Sequence, residues 1–149
     1  MLPRFKKNGL LPQGVHYCKW EEFLNVFVFN ECRRQLSEGL RRGLEVLHKH
    51  KCSLVYIDGS FVTTKLFPND VDVAFDNRDM DWKGFKNRNP EFFDIKGGDT
   101  IQKEKYNSHF FACNPFETYF IDFFQFDRNG NPKGIVKLDL DEVFRHDKK

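Results

Sequence analysis

The sequence is short of several features that would assign it to a class quickly. Its four cysteines (Cys18, Cys32, Cys52 and Cys113) contain no CxxC pair, which argues against a structural zinc site. Its formal net charge is only +2, so no strong overall field draws in nucleic acid. No apolar run is long enough to cross a bilayer, and residues 1–14 lack the apolar stretch of a signal peptide. We therefore expect reduced thiols, a cytoplasmic location and no membrane partner.

The composition that is present suits one folded domain with an aromatic core. The 149 residues are enough for a single core, and the sequence contains 18 phenylalanines. We expect an irregular arm over residues 1–18, a helical part over 19–51 and a sheet-containing part over 53–149. The predicted fold class is α+β, close to α/β: a mixed sheet covered on one face by the helices.

The helical part has two recognisable segments. One helix is expected to begin near Trp20, and a longer one runs from about Asn30, a suitable N-cap, to His50. Leucines at positions 36, 40, 44 and 47 repeat at helical spacing and predict its buried face. The arginines Arg33, Arg34, Arg41 and Arg42 are interpreted as a solvated helix face.

Strands are predicted at residues 53–57, 70–75, 109–113, 117–126 and 134–138. FVTTKL, residues 61–66, is expected to form a short helix that Pro68 ends, and Trp82 and Phe85 to lie on another. Gly97-Gly98 is expected in a turn. Asp127 opens a segment with strong turn chemistry, and Asp139 begins a final helix with Glu142 three residues later.

The stretch IDGSFVTTKLFPNDVDVAF, residues 57–75, carries the chemistry. Asp70 and Asp72 lie two apart on a predicted strand and so share a face, while Val71 and Val73 point into the core. Two neighbouring carboxylates repel unless a cation neutralises them, and Mg²⁺ commonly binds one or two carboxylates together with substrate phosphates. Mn²⁺ fits the same ligands.

Gly59 and Ser60 precede this pair and suggest a phosphate-binding turn. A glycine after a strand lets a phosphate approach the backbone, and the first N–H groups of a helix bind anions. Lys65 could reach a phosphate or point to solvent, and Asp58 is interpreted as a structural cap of the turn. Asp122 is an acid within an aromatic segment, where a charge is costly unless it is paired or bound to metal.

This conjunction resembles the signature of the DNA polymerase beta-like nucleotidyltransferase superfamily. The most similar form is that of the small bacterial minimal nucleotidyltransferases, over residues 53–75 and more loosely at Asp122. The resemblance implies a nucleoside triphosphate such as ATP at Gly59 and Ser60, two Mg²⁺ ions held by Asp70, Asp72 and Asp122, and a mixed sheet. The chain departs from the pattern after Gly-Ser, where FVTTK replaces the usual arginine and glycine.

The expected function is transfer of a nucleoside monophosphate to a hydroxyl of a protein, RNA or small molecule. The main alternative is a regulatory, antitoxin-like protein on the same fold whose partner is a toxin. A metal-dependent nuclease and an edge strand with solvent-facing acids also stay open. Lys83, Lys86 and Arg88, with Trp82 and Phe85, form either a nucleic-acid contact or an ordinary surface helix.

Overall fold

A computed structural model describes residues 1–93, 98–113 and 125–145, with the side chains of residues 98–100 left out. Within these ranges the chain forms a mixed sheet with helices, which confirms the predicted fold class. The strands are β1 (Gly14–Tyr17), β2 (Leu54–Asp58), β3 (Val71–Asp76), β4 (Ser108–Cys113) and β5 (Gly134–Asp139). The helices are α1 (Trp20–Phe27), α2 (Glu31–Lys49), α3 (Trp82–Arg88), α4 (Gly98–Tyr106) and α5 (Leu140–Val143).

The sheet has the order β1-β5-β2-β3-β4. Its centre is antiparallel, with β2 between β5 and β3, and each outer strand, β1 or β4, runs parallel to its neighbour. The chain therefore returns at β5 to insert a late strand beside an early one, which couples the two ends of the sequence through the sheet.

One face of the sheet carries the main core. Val55, Val73, Phe110 and Val136 point to this face and belong to one buried cluster with residues from the helices. The buried cluster on the opposite face consists, among the described residues, of Tyr56, Ala74, Cys113 and Ile135. The expected aromatic core is confirmed by phenylalanines that are fully or almost fully buried: Phe23, Phe27, Phe61, Phe75, Phe85, Phe92, Phe110 and Phe144.

Local signals placed most element ends correctly. The Asn30 side chain accepts a hydrogen bond from the Arg33 N–H at 2.9 Å and caps α2. Asp139 accepts bonds from the N–H groups of Asp141 and Glu142 and caps α5. Asp127 holds its turn by accepting from Asn129 and Asn131.

The N-terminal arm is more ordered than predicted. Residues 14–17 form β1, which pairs with β5 in the register Gly14↔Gly134, and Leu2 and Leu11 are buried. The prediction of an irregular arm over residues 1–18 is therefore wrong for residues 14–17, whereas residues 1–13 form no helix or strand. The partner strand lies about 120 residues further along the chain, so no local pattern reveals it.

Two smaller predictions are also wrong. Residues 61–66 form no helix beyond the three-residue 3-10 turn Ser60–Val62, because Thr63 is extended (φ −129°, ψ −177°). Gly98 begins α4 rather than lying in a turn. Of the predicted strand at residues 117–126, residues 117–124 lie outside the described part, and Phe126 forms an isolated bridge with Pro132.

The arginines of α2 do not behave alike. Arg34 and Arg42 are exposed as expected, but Arg33 is completely buried. The solvated-face interpretation is wrong for Arg33, because its guanidinium binds backbone carbonyls of the segment that follows β2.

The described cysteines are free thiols. Among the helices described, none combines the length and the apolar character needed to cross a membrane.

Candidate metal centre

The β2–β3 hairpin places the predicted residues next to each other. Asp58, the last residue of β2, pairs with Asp72 of β3, and Asp72 pairs on its other side with His109 of β4. Paired residues of neighbouring strands share a face, so these three side chains form a row across the sheet. Val71 and Val73 are fully buried on the opposite face, as predicted.

Asp70, Asp72 and His109 form a compact cluster of possible metal ligands. One ligand atom from each lies within 4.8 Å of the others. His109 Nδ1 is 3.7 Å from Asp70 Oδ2 and 3.8 Å from Asp72 Oδ1. The side chains are 22% (Asp70), 37% (Asp72) and 35% (His109) exposed, so an ion could enter from solvent without rearrangement of the core.

Gly59 lies against this cluster in a conformation that other residues avoid. Its φ of +79° and ψ of −167° fall in a region that is populated almost only by glycine. A Cβ at this position would lie 2.3 Å from Asp72 Oδ2. Glycine is therefore needed at position 59 because it leaves room for the Asp72 carboxylate. The sequence alone did not reveal this requirement.

The segment after Gly59 is held by Arg33 rather than by a helix. The Arg33 guanidinium donates to the carbonyls of Ser60, Phe61, Thr63 and Lys65 at 2.6–3.2 Å. These carbonyls face the cation instead of the N–H groups of a continuing helix. This segment therefore does not provide the N-terminus of a longer helix to a phosphate, and only the turn at Gly59 and Ser60 could contact one.

Asp58 is not the cap of the turn that we expected. It is buried and lies beside Lys133, whose Nζ is 2.7 Å from Asp58 Oδ1. The contact is an ion pair without hydrogen-bond geometry. Lys133 is itself buried, so Asp58 already has a fixed cation, whereas Asp70 and Asp72 lie beside the His109 imidazole.

The electrostatics of the row disfavour charge on Asp72. Burial raises the pKa of Asp72 to about 6, and the neighbouring carboxylates Asp70 and Asp58 add to the rise. His109 and Lys133 oppose it. A divalent cation would reverse this balance, because it favours the ionised carboxylates, so the donor set fits a hard or borderline metal ion.

Replacing Asp72 by asparagine is expected to stabilise the metal-free protein at pH 7. The pKa of Asp72 is raised from its usual 3.8 to about 6, so the native state favours the protonated carboxyl. The contribution of Asp72 to the stability of wild type is therefore highest below pH 4 and falls as the pH rises through about 6, where Asp72 ionises, whereas asparagine cannot ionise. Without solvent screening, such a rise in pKa would correspond to ~3 kcal/mol. Because the side chain is 37% exposed, we expect the free energy of unfolding of Asp72→Asn to exceed that of wild type by only about 1 kcal/mol.

Urea unfolding of Asp72→Asn and wild type at pH 3.5, 5 and 7, with a chelator present, measures this effect. The stability difference should grow with pH, and Asp79→Asn, a change at an exposed acid, should show no such trend. An equal difference at all three pH values would contradict the crowding of carboxylates at this site.

Comparison with known proteins gives a family but no function. Residues 3–139 match a family described as "Family of unknown function (DUF6932)". The chain belongs to this family. No curated protein and no solved structure matches the chain. The matched region contains Asp58, Gly59, Asp70, Asp72, His109 and Lys133.

The structure brings together four of the residues singled out from the sequence, namely Gly59, Ser60, Asp70 and Asp72. Lys65 is exposed on the loop that follows, and Asp122 lies outside the described residues. Sequence reasoning missed His109 and Lys133. In the strand SHFFAC, residues 108–113, neighbouring side chains point to opposite faces, so the sequence could have placed His109 on the face opposite to Phe110. No local pattern connects Lys133 with Asp58, which lies 75 positions earlier.

Proposed function

We propose that this protein is a metal-dependent nucleotidyltransferase that moves a nucleoside monophosphate from a nucleoside triphosphate to a hydroxyl. The observation that carries the proposal is the Asp70–Asp72–His109 cluster set directly against the Gly59 turn. The resemblance of residues 57–75 to nucleotidyltransferases supports the same assignment. The acceptor would be a protein, an RNA or a small molecule.

The reaction needs the two substrates, a divalent ion and an acceptor for one proton. The acceptor oxygen forms a bond to the α-phosphorus and gives its proton to a carboxylate of the site or to water, and the bond from that phosphorus to the oxygen that bridges to the β-phosphate breaks to release pyrophosphate. A divalent ion held by Asp70 and Asp72 would neutralise the phosphate oxygens and lower the pKa of the acceptor hydroxyl. The two carboxylates by themselves would suit Mg²⁺ or Mn²⁺.

The chain's own residues have distinct roles in this proposal. Asp70 and Asp72 would hold the ion, and Gly59 would leave space for the Asp72 carboxylate and for a phosphate beside it. The Ser60 hydroxyl would donate to the phosphates, and Lys65, which is exposed on the adjoining loop, would contact their outer oxygens. Asp122 acts as the third carboxylate, a role that comes from the family resemblance alone.

Calorimetry with each of the four nucleoside triphosphates tests the proposal before the acceptor is known. We expect wild type to bind at least one of them only when a divalent ion is present. Asp70→Ala should lose roughly tenfold or more in affinity, because the ion is no longer held. Asp79→Asn, which removes an exposed acid next to β3, is the matched control and should bind as wild type.

An α-labelled triphosphate incubated with lysate would then reveal the acceptor, and the label should not transfer with Asp70→Ala or Asp72→Ala. Full transfer by both variants would overturn the proposal. Because unpaired thiols persist in a reducing compartment, the cytoplasm is the proposed site of the reaction.

A regulatory, antitoxin-like protein is the second candidate, and one observation favours it. Leu66 and Phe67, between the Gly-Ser turn and the aspartates, are 60% and 67% exposed. Exposed apolar side chains on a loop of this kind suit contact with a partner protein such as a toxin. Failure to bind any triphosphate, together with capture of one partner that Phe67→Ser abolishes, would favour this candidate.

A further inference from the structure

The register of the sheet places His109 beside Asp72. Asp72 pairs with His109 and Val73 pairs with Phe110, so the His109 ring lies on the carboxylate face while Phe110 enters the core. Its Nδ1 is the atom near both carboxylates, at 3.7 and 3.8 Å. His109 was not among the residues that the resemblance to nucleotidyltransferases implied.

The distances fit ligands of a shared ion better than hydrogen bonds. An N–H···O bond has a length of about 2.7–3.2 Å, so the ring forms no close bond with either carboxylate. Two ligands at ~2.1 Å from one ion stand roughly 3.0–3.4 Å apart in tetrahedral or octahedral geometry. The His109 nitrogen therefore needs to approach each carboxylate by roughly 0.3–0.8 Å for them to share an ion, and the ligand atoms of all three residues lie within 4.8 Å of one another.

A nitrogen ligand changes which ion the site prefers. Mg²⁺ binds oxygen ligands and loses its waters reluctantly, whereas imidazole suits first-row transition metals. Mn²⁺ accepts carboxylate as well as imidazole, and its affinity for mixed nitrogen and oxygen sites is exceeded by later members of the series. Two carboxylates and one imidazole are therefore a poor set for Mg²⁺ and a good set for a transition-metal dication.

We propose that His109 ligates the ion held by Asp70 and Asp72 and gives this site a preference for a first-row transition-metal dication over Mg²⁺. The inference concerns the same ion as the proposed nucleotidyl transfer. It is nevertheless tested without nucleotide or acceptor, so it can fail or hold separately from that function.

Electron paramagnetic resonance of Mn²⁺ provides a direct test, because the signal of the free ion falls as it binds. In wild type we expect Mn²⁺ to bind roughly tenfold or more tightly than Mg²⁺, measured by competition. Electron spin-echo modulation should also show coupling from a directly bound nitrogen. Circular dichroism checks that each variant is folded, and because the His109 side chain is 35% exposed, we expect its replacement to leave the core intact.

His109→Ala should lose roughly tenfold or more in Mn²⁺ affinity together with the nitrogen coupling, while its Mg²⁺ affinity changes by less than about threefold. His16→Ala is the matched control, since His16 contacts the Pro12 carbonyl at 2.7 Å on β1 and should leave both affinities unchanged. Asp70→Ala should weaken both ions.

An unchanged Mn²⁺ affinity in His109→Ala, or an equal loss for both ions, would overturn the inference, as would the absence of nitrogen coupling in wild type. If Mn²⁺ binds through nitrogen but no triphosphate binds, the inference holds and the nucleotidyltransferase proposal fails. If a triphosphate binds with Mg²⁺ and His109→Ala has no effect on either ion, the inference fails and the proposed function stands.

Discussion

Replacing Arg33 by methionine is expected to lower the free energy of unfolding by about 4 kcal/mol or more. The side chain is fully buried and donates to the carbonyls of Phe27, Phe61 and Thr63 in a buried environment. A buried carbonyl left without a donor costs roughly 1–3 kcal/mol, so three of them account for the loss. Methionine has a similar length, which keeps the cavity small.

Arg33 also joins two parts of the structure. Its guanidinium lies 4.3 Å from the ring centre of Phe29 and 5.0 Å from that of Phe61, and it bonds the segment that leads from Gly59 towards Asp70. Burial lowers the pKa of Arg33 to about 10, so the cation persists at neutral pH. Among the described residues its charge is balanced by carbonyl dipoles, with no ion pair to a carboxylate.

Arg34→Met provides the matched control one residue away. Arg34 is half-exposed and pairs with Glu31 and Glu38 on the surface of α2, where such pairs contribute less than about 1 kcal/mol. Arg33→Lys tests geometry separately from charge, and it should recover only part of the loss because an ammonium cannot span the same carbonyls.

Urea unfolding followed by circular dichroism, at neutral pH, measures all three variants against wild type. Equal stability of Arg33→Met and Arg34→Met would show that the carbonyls of residues 60–65 find other donors. In that case Arg33 would have no role in shaping the turn beside the metal ligands.

Replacing Gly59 by alanine is expected to weaken divalent-ion binding roughly a hundredfold. The new Cβ would lie 2.3 Å from Asp72 Oδ2, so the carboxylate must move away from Asp70 and His109. The backbone conformation of Gly59 also strains any residue with a Cβ, by about 1–3 kcal/mol.

Gly130→Ala separates these two effects. Gly130 has the same φ of +79°, but a Cβ there would meet no atom within 4 Å. The two variants should therefore share a loss of stability in thermal unfolding, while only Gly59→Ala loses Mn²⁺ or Mg²⁺ binding in calorimetry. Normal ion affinity in Gly59→Ala would mean that Asp72 can shift without leaving the site.

Much of the fold was predictable because its signals are local. The Asn30 cap, the spacing of the leucines in α2 and the alternation over residues 70–75 each act within a few residues, and the structure confirms all three. The prediction for residues 61–66 was wrong because a distant side chain, Arg33, takes the carbonyls that a helix would have used. Arg33 belongs to a sequence pattern that is typical of an exposed, charged helix face, so its burial could not be predicted without these distant carbonyls.

The sequence by itself determined the mixed α and β class and the placement of Asp70 and Asp72 on one face of a strand, since both depend on periodicity along the chain. It also determined the aromatic core, which follows from the 18 phenylalanines. Only the tertiary structure decided that β1 pairs with β5, that Lys133 neutralises Asp58 and that His109 joins the two aspartates. These contacts connect residues 37 to 120 positions apart, and strand pairing across such distances is fixed by the packing of the whole sheet, which no local pattern encodes.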